Sequence, residues 1–409
     1  MLVTATLAMA ESAIAAEPAA SKPAPYPTPN PPTPNPPALT RGSLPKSAVK
    51  LPPKVWTPAE PPPSSPDTQR LIVGAYPGAR ADLADTKKTS ANIVADPDWY
   101  IWGGSVIAEN GKYHMFAERW PRKFGFNCWL THAEIAHYVA DKPEGPFRFA
   151  KTVLTGRGRG HWDQIAAYNP YLCKFNGRFY LYYVSTNHPT MDAAGLVETA
   201  RAGGKSPNWL PVRDAQRVGL AVADSLDGPW QRSEKPVVEP HGSIVRVTVN
   251  PAVCLGPDGR YHMIVKGDKP IVTKDWTVIQ ATAVADKPEG PWQIQSTPAF
   301  GEYNTEDACI WYDLVLRRFY AVVHVHHQSV MAMITSTDGI HWEKAARFKL
   351  MPKEIPLAGG GSFKAPRMER PFVLIDAQGR PSHIYLAIFN GSDAYNVVLK
   401  LDRDVSPGH

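Results

Sequence analysis

The sequence predicts an all-β fold, a five-bladed β-propeller with a central funnel-shaped pocket, and two repeated patterns carry that prediction. The first is a strand, a tight Gly turn and an aromatic-rich strand, present in five copies from residue 100 onward. The second is an alternating strand, a Gly-Pro or Asp-Gly turn and an aromatic residue, and it follows each of the first four copies. Paired, the two patterns make four antiparallel strands per unit, which is one propeller blade.

The segment ahead of the repeats reads differently. Residues 1–16 (MLVTATLAMAESAIAA) are small and apolar and end in an Ala13-x-Ala15 cleavage-like site, resembling a secretory signal peptide. No Lys or Arg precedes the apolar run, and Glu11 interrupts it. Residues 17–66 hold 18 of the 42 prolines and no periodic apolar pattern. Such a stretch favours an extended polyproline-type chain, here a spacer. The expected organisation is therefore signal peptide (1–16), Pro-rich linker (17–66) and propeller (67–409), with a periplasmic or secreted product.

In order, the first pattern reads GGSVIAENGKYHMFAERW (103–120), NPYLCKFNGRFYLYYVS (169–185), NPAVCLGPDGRYHMIVK (250–266) and EDACIWYDLVLRRFYAVVH (306–324). A looser fifth copy is ERPFVLIDAQGRPSHIYLAIF (369–389). Asn-Gly and Asp-Gly between β-rich runs are strong hairpin signals. The second pattern reads IAHYVADKPEGPF (135–147), GLAVADSLDGPW (219–230), ATAVADKPEGPW (281–292) and MAMITSTDGIHW (331–342). Blade five lacks its own copy, so a strand from residues 68–95, with RLIVGAY the best candidate, is expected to close the ring. Long insertions at 148–168, 186–217, 232–247 and 343–367 argue against a regular repeat array and favour a built-up pocket.

Composition narrows the function. Hydrophobic residues at 43% suffice for a core, and the net charge of +6 is spread over mixed signs with no run of five Lys/Arg. Nucleic acid is not expected as a partner, and no stretch of 18 apolar residues occurs to span a membrane. Cys128, Cys173, Cys254 and Cys309 contain no C-x-x-C pair. They read as small buried residues, not as a zinc site, redox pair or disulfides. A monomer without a cofactor is expected, with a central Ca²⁺ or other ion left open.

The hairpins and the D-x-P-x-G-P-W/F element resemble the five-bladed propellers of glycoside hydrolase family 43 and its relatives in families 32, 62 and 117, over roughly residues 95–401. That resemblance implies an enzyme acting on carbohydrate. It further implies a base Asp, a modulating Asp and an acid Glu from the first three blades. The corresponding strand starts read Trp102-Gly103-Gly104, Asn169-Pro170 and Asn250-Pro251, so a glycine and two amides stand where the carboxylates belong.

Geometry supplies other candidates, because residues opening strand one and closing strand two of a blade converge on one mouth of the channel. The first set is Trp102, Asn169, Asn250, Glu306 with Asp307, and Glu369 with Arg370. The second is Glu118 with Arg119, Asn187 with His188, Lys266, His324 with His326, and Asn390. Glycoside hydrolysis needs two carboxyl groups, one protonated and one ionised. Glu306, Asp307 and Glu369 are the acids at strand starts, and neighbours in a shared cleft would push their pKa values apart. Asp163, beside His161 and Trp162, and Asp98, just before blade one, compete with them. His324 is a further candidate acid, since family 117 uses a histidine in that role. Arg119, Lys266 and Arg370 suit a carboxylate or sulfate on an acidic sugar, or else pair with Glu118, Glu306 or Glu369. Trp102, Trp120, Trp129 and Trp162 are not repeated and suit sugar stacking. Tyr180, Tyr182, Tyr183, Trp230, Trp292 and Trp342 recur in register and suit packing between blades.

The function expected first is a glycoside hydrolase, exo-acting or side-chain-removing, on a plant or algal polysaccharide, with the mild basic excess compatible with an acidic one. Two alternatives stay open at this point. One is a polysaccharide lyase using His324, Arg119 and Lys266 on a uronate; the other is a propeller that binds carbohydrate without catalysis.

Overall fold

The computed structural model describes residues 71–73, 90–270, 278–326, 328, 330–357 and 361–403. The signal peptide (1–16) and linker (17–66) expected from the sequence lie outside them. Five antiparallel sheets form the blades, with the hairpin repeats as their inner two strands. Blade one is Trp99–Glu109, Lys112–Pro121, Glu134–Ala140 and Arg148–Leu154; blade two is Tyr168–Phe175, Arg178–Ser185, Arg217–Ala223 and Gln231–Arg232. Blade three is Val245–Leu255, Tyr261–Asp268, Val278–Ala285 and Gln293–Pro298; blade four is Thr305–Asp313, Arg318–Val325, Val330–Ser336 and Glu343–Pro352. Blade five takes Arg367–Ile375, Pro381–Phe389 and Ala394–Arg403 from the end of the described chain. Its outer position is filled by Leu71–Val73, paired antiparallel with Leu401–Arg403, and Ile93–Val94 pairs with the same strand at Val397 and Asn396. Closure by the segment that precedes blade one thus ties the two ends of the repeat together.

The second sequence pattern locks each blade to its neighbour. Tyr182 of blade two donates its hydroxyl to the Pro288 carbonyl in the DKPEGPW turn of blade three (2.6 Å). Tyr385 of blade five does the same to Pro143 in the DKPEGPF turn of blade one (2.8 Å). Phe116 of blade one meets Trp230 of blade two edge-on, and Phe319 of blade four meets His262 of blade three. These rings stand where packing between blades requires them.

One backbone feature positions the site. Near the start of each innermost strand one residue takes a left-handed conformation: Gly103 (φ 54°), Asn169 (51°), Asn250 (53°), Asp307 (59°) and Arg370 (55°). The pairing register with strand two slips across each of these points. Each is a β-bulge, which bends the strand and re-aims a side chain. Regular alternation sends consecutive side chains to opposite faces. Here Val249 and Asn250, Glu306 and Asp307, and Glu369 and Arg370 all reach one cleft. Below the bulges Tyr171 of blade two crosses the axis to blade four, where its hydroxyl bonds the backbone of Ile310 (3.2 and 3.3 Å). The channel is closed at that depth.

Loss of one inter-blade hydroxyl should be measurable. Tyr182→Phe and Tyr385→Phe each leave a proline carbonyl without its donor and should lower unfolding free energy by about 1 kcal/mol. Replacement by Ala should cost about 3–5 kcal/mol by opening a cavity between blades. Equilibrium denaturation of each variant reads the difference.

Candidate active site

The bulge residues form a hydrogen-bonded ring around the channel mouth. Asn169 Nδ2 donates to Asn250 Oδ1, and Asn250 Nδ2 donates to Asp307 Oδ1. Asp307 Oδ2 accepts from the backbone N–H of Arg370 (3.2 Å), and Oδ1 lies 3.4 Å from the Arg370 guanidinium. Gly103 contributes no side chain; the Arg370 Nε lies 2.8 Å from where its Cβ would stand. Above the ring is a cavity of about 120 Å³, walled by Trp102, Trp120, Phe126 and Trp129 on one side and by Lys266, Glu306, Arg367 and Glu369 on the other.

Four carboxyl groups line this cavity, and their surroundings differ. Glu306 is buried, which would raise its pKa. Lys266 Nζ at 2.6 Å, with His324 and His326 at 3.2 and 3.0 Å, overrides that and holds it well below the usual carboxylate range. Burial opposes charge on His326, but the same carboxylate raises its pKa. Glu369 is gripped by both arms of Arg367 (2.6 and 3.0 Å). Asp307 belongs to the ring. Glu118, at the end of strand two of blade one, has no salt-bridge partner among the described residues; its Oε2 accepts only the backbone N–H of Asn169 (3.0 Å). Burial, opposed in part by the charge of Arg370, pushes its pKa from 4.5 to about 7.

The structure therefore brings together Trp102, Asn169, Asn250, Lys266, Glu306, Asp307, Glu369 and Arg370 from the sequence candidates, with His324 directly behind Glu306. Glu118, Trp120 and Trp129 line the same cavity, whereas several other candidates lie elsewhere. Arg119 follows Glu118 on a regular strand, so it points to the opposite face, where it pairs with Glu134 (2.7 Å) between the rings of Trp99 and Phe149. Asp163 is fully buried away from the cleft and anchors Arg157 (2.6 Å), Arg232 (3.3 Å) and the Tyr183 hydroxyl (2.8 Å). Trp162 stacks on that same tyrosine and donates to the Ser233 carbonyl, while His161 is exposed in the adjoining turn. Asp98 is exposed in a turn whose carbonyl accepts from Arg122 (3.0 Å). His188 Nδ1 accepts backbone N–H groups of Thr190 and Met191 and so shapes its own loop.

Several cleft residues carried no distinguishing signal in the sequence. Arg367 comes from the 343–367 insertion, and its guanidinium lies 5.5 Å from the rings of both Trp102 and Phe126. Phe126 and Gln216 also come from connecting segments, and half-buried Lys353 stands near Glu369 and Glu306, with its pKa lowered by its partial burial. Glu118 was visible as a strand-two end, but nothing in its neighbours announced its isolation from cations.

Among the described residues, Glu306, Asp307 and His324 are the group able to hold a metal ion, with ligand atoms within 4.8 Å of one another. Lys266 and Arg370 already present positive charge to those two carboxylates, which opposes a cation there. The four cysteines are unpaired. No helix among the described residues is long and apolar enough to cross a membrane.

No family model matches the chain, and no curated protein matches its sequence. Solved structures do match. A family 117 glycoside hydrolase produced by the marine bacterium Zobellia galactanivorans superposes with a TM-score of 0.53 at 17% identity, covering 82% of this chain and 90% of that one. The fold is that of family 43 and family 117 glycoside hydrolases. A thermostable family-43 glycoside hydrolase gives 0.52 at 12% identity over 78% of this chain and 98% of its own. A further glycoside hydrolase gives 0.53 at 14%, over 78% and 92%. At these identities the likeness concerns the fold. Chemistry has to be argued from the cleft itself.

The isolation of Glu118 has a consequence for stability. A carboxyl whose pKa rises from 4.5 to about 7 on folding binds its proton more tightly in the folded state. Stability therefore falls as pH rises through that interval, by about 3 kcal/mol in all. Glu118→Gln mimics the protonated form and should remove this component. Denaturant midpoints at pH 5 and pH 8 should then differ less in the variant than in the parent chain.

Proposed function

We propose that the chain is a glycoside hydrolase, exported to the periplasm or beyond, that removes terminal or side-chain sugars from a plant or algal polysaccharide bearing acidic residues. The observation that carries this reading is the contrast between Glu118 and the other acids of the cleft. One carboxyl group keeps its proton close to neutrality while three face cations in the same cavity. Glycosidases place an acid and a base on either side of the scissile bond and separate their protonation states by environment.

In this reading Glu118 is the general acid and donates its proton to the departing glycosidic oxygen. Asp307 is the base. Both oxygens of Glu306 are occupied by Lys266 and the histidine pair, and both of Glu369 by Arg367, whereas among the described residues Asp307 Oδ2 accepts only a backbone N–H at 3.2 Å. It is therefore the better placed to take a proton from water as that water attacks the anomeric carbon. The turnover leaves Glu118 ionised and Asp307 protonated, and exchange with solvent restores both. Direct attack by water inverts the anomeric centre. Trp102 and Trp129 offer apolar surface to a sugar ring. The stopper at Tyr171 leaves a blind cleft, which suits a chain end better than a chain interior.

Arg119 lies outside the cleft, which removes one of the three groups a lyase would use. A panel of neutral and acidic glycans, followed by reducing ends and by the absorbance of unsaturated uronates, tests the choice. Reducing ends alone are expected. Both signals together would mean a lyase, and binding with neither would end the enzymatic reading.

The kinetic expectations are specific. The rate should fall as pH rises through about 7, as Glu118 loses its proton. Glu118→Gln and Asp307→Asn should each lower kcat by about 10²–10⁴-fold, while Arg119→Gln should leave it near normal.

A further inference from the structure

Resting on the hydrolase reading, the geometry points to the charge of the substrate: we infer that Arg370 binds an anionic group, carboxylate or sulfate, on the sugar that occupies the cleft. Three arginine or lysine side chains line that cavity. Two are already committed. Lys266 sits 2.6 Å from Glu306, and both arms of Arg367 grip Glu369 at 2.6 and 3.0 Å.

Arg370 is different. Its side chain is 9% exposed, and its one side-chain bond is a long contact of 3.4 Å from NH1 to Asp307 Oδ1. Its Nε is buried with no acceptor among the described residues. A guanidinium carries five N–H donors in a fixed planar fork that matches a carboxylate or sulfate edge. A buried guanidinium N–H without an acceptor is unfavourable, and an anionic ligand would supply one.

The backbone shows that this placement is built in. Arg370 occupies the bulge of blade five with φ 55°, an uncommon conformation for a long side chain. It extends over Gly103, the one bulge position without a side chain. A Cβ at 103 would stand 2.8 Å from the arginine Nε and 3.4 Å from its Cγ. A carboxylate-bearing residue at that position and this course of Arg370 exclude one another. The absence of a side chain at Gly103 and the course of the Arg370 side chain are therefore one arrangement.

Calorimetric titration of the full chain with galacturonate, galactose and galactose 6-sulfate tests this without requiring turnover. An anionic sugar should bind about 10-fold or more tightly than galactose, the value of one charge-assisted pair. Preference for the uronate identifies a carboxylate ligand, and preference for the sulfated sugar identifies sulfate. Arg370→Gln should abolish the preference and Arg370→Lys should weaken it, while Arg119→Gln should retain it as a control for net charge. Melting curves confirm that each variant is folded. Equal affinity of the parent chain for all three sugars would overturn the inference, as would an unchanged preference in folded Arg370→Gln. Selective binding without hydrolysis of any glycan would refute the catalytic reading and leave this one standing.

Discussion

Each blade turns one residue left-handed where its innermost strand opens, and the properties of the cleft depend on that bulge. Without it, alternation would send Asp307 and Arg370 to the faces opposite Glu306 and Glu369, into the packing between blades. With it, the ring from Asn169 through Asn250 and Asp307 to Arg370 links four blades across the channel mouth. The same backbone supplies the N–H that meets Glu118. Scaffold and site share these atoms, so a change at any bulge should be felt in both.

Within that frame the cleft sorts its acids by the cations it gives them. Glu306 and Glu369 each receive a dedicated positive partner, and Asp307 shares the edge of a third. Glu118 has no ion-pair partner among the described residues, so burial outweighs the more distant charge of Arg370 and raises its pKa. In the proposed reading, a propeller with glycine and two amides at its first three strand starts takes its acid from strand two of blade one and its base from blade four. Tyr171 seals the floor beneath them, which keeps the cavity small and blind.

Much of this architecture was legible in the sequence. The hairpins and their following turn elements were readable because Tyr182, Tyr385 and Phe116 meet the turns and rings of the next blade, so packing is written into the pattern. Convergence of strand starts and strand-two ends correctly gathered Asn169, Asn250, Lys266, Glu306, Asp307, Glu369 and Arg370. It failed where side-chain direction mattered. Arg119 lies one residue past Glu118 and faces away, and Asp163 sits in a loop whose path only Arg157, Arg232 and Tyr183 determine. Four of the bulge residues, Gly103, Asn169, Asn250 and Asp307, are of types that tolerate a left-handed backbone, but Arg370 is not, so no residue pattern marked all five; what they share is φ. Arg367 was missed because it arrives on an insertion with no repeat to align it.

The most direct test of the cleft's chemistry is a crystal structure of the Glu118→Gln variant soaked with an acidic oligosaccharide. The terminal sugar should lie above the bulge ring, with its glycosidic oxygen within hydrogen-bonding distance of the amide at 118. A water should stand between Asp307 and the anomeric carbon, and the sugar's anionic group should rest on Arg370. A sugar seated outside the ring, or one whose glycosidic oxygen points away from position 118, would contradict the assignment of Glu118 as the acid.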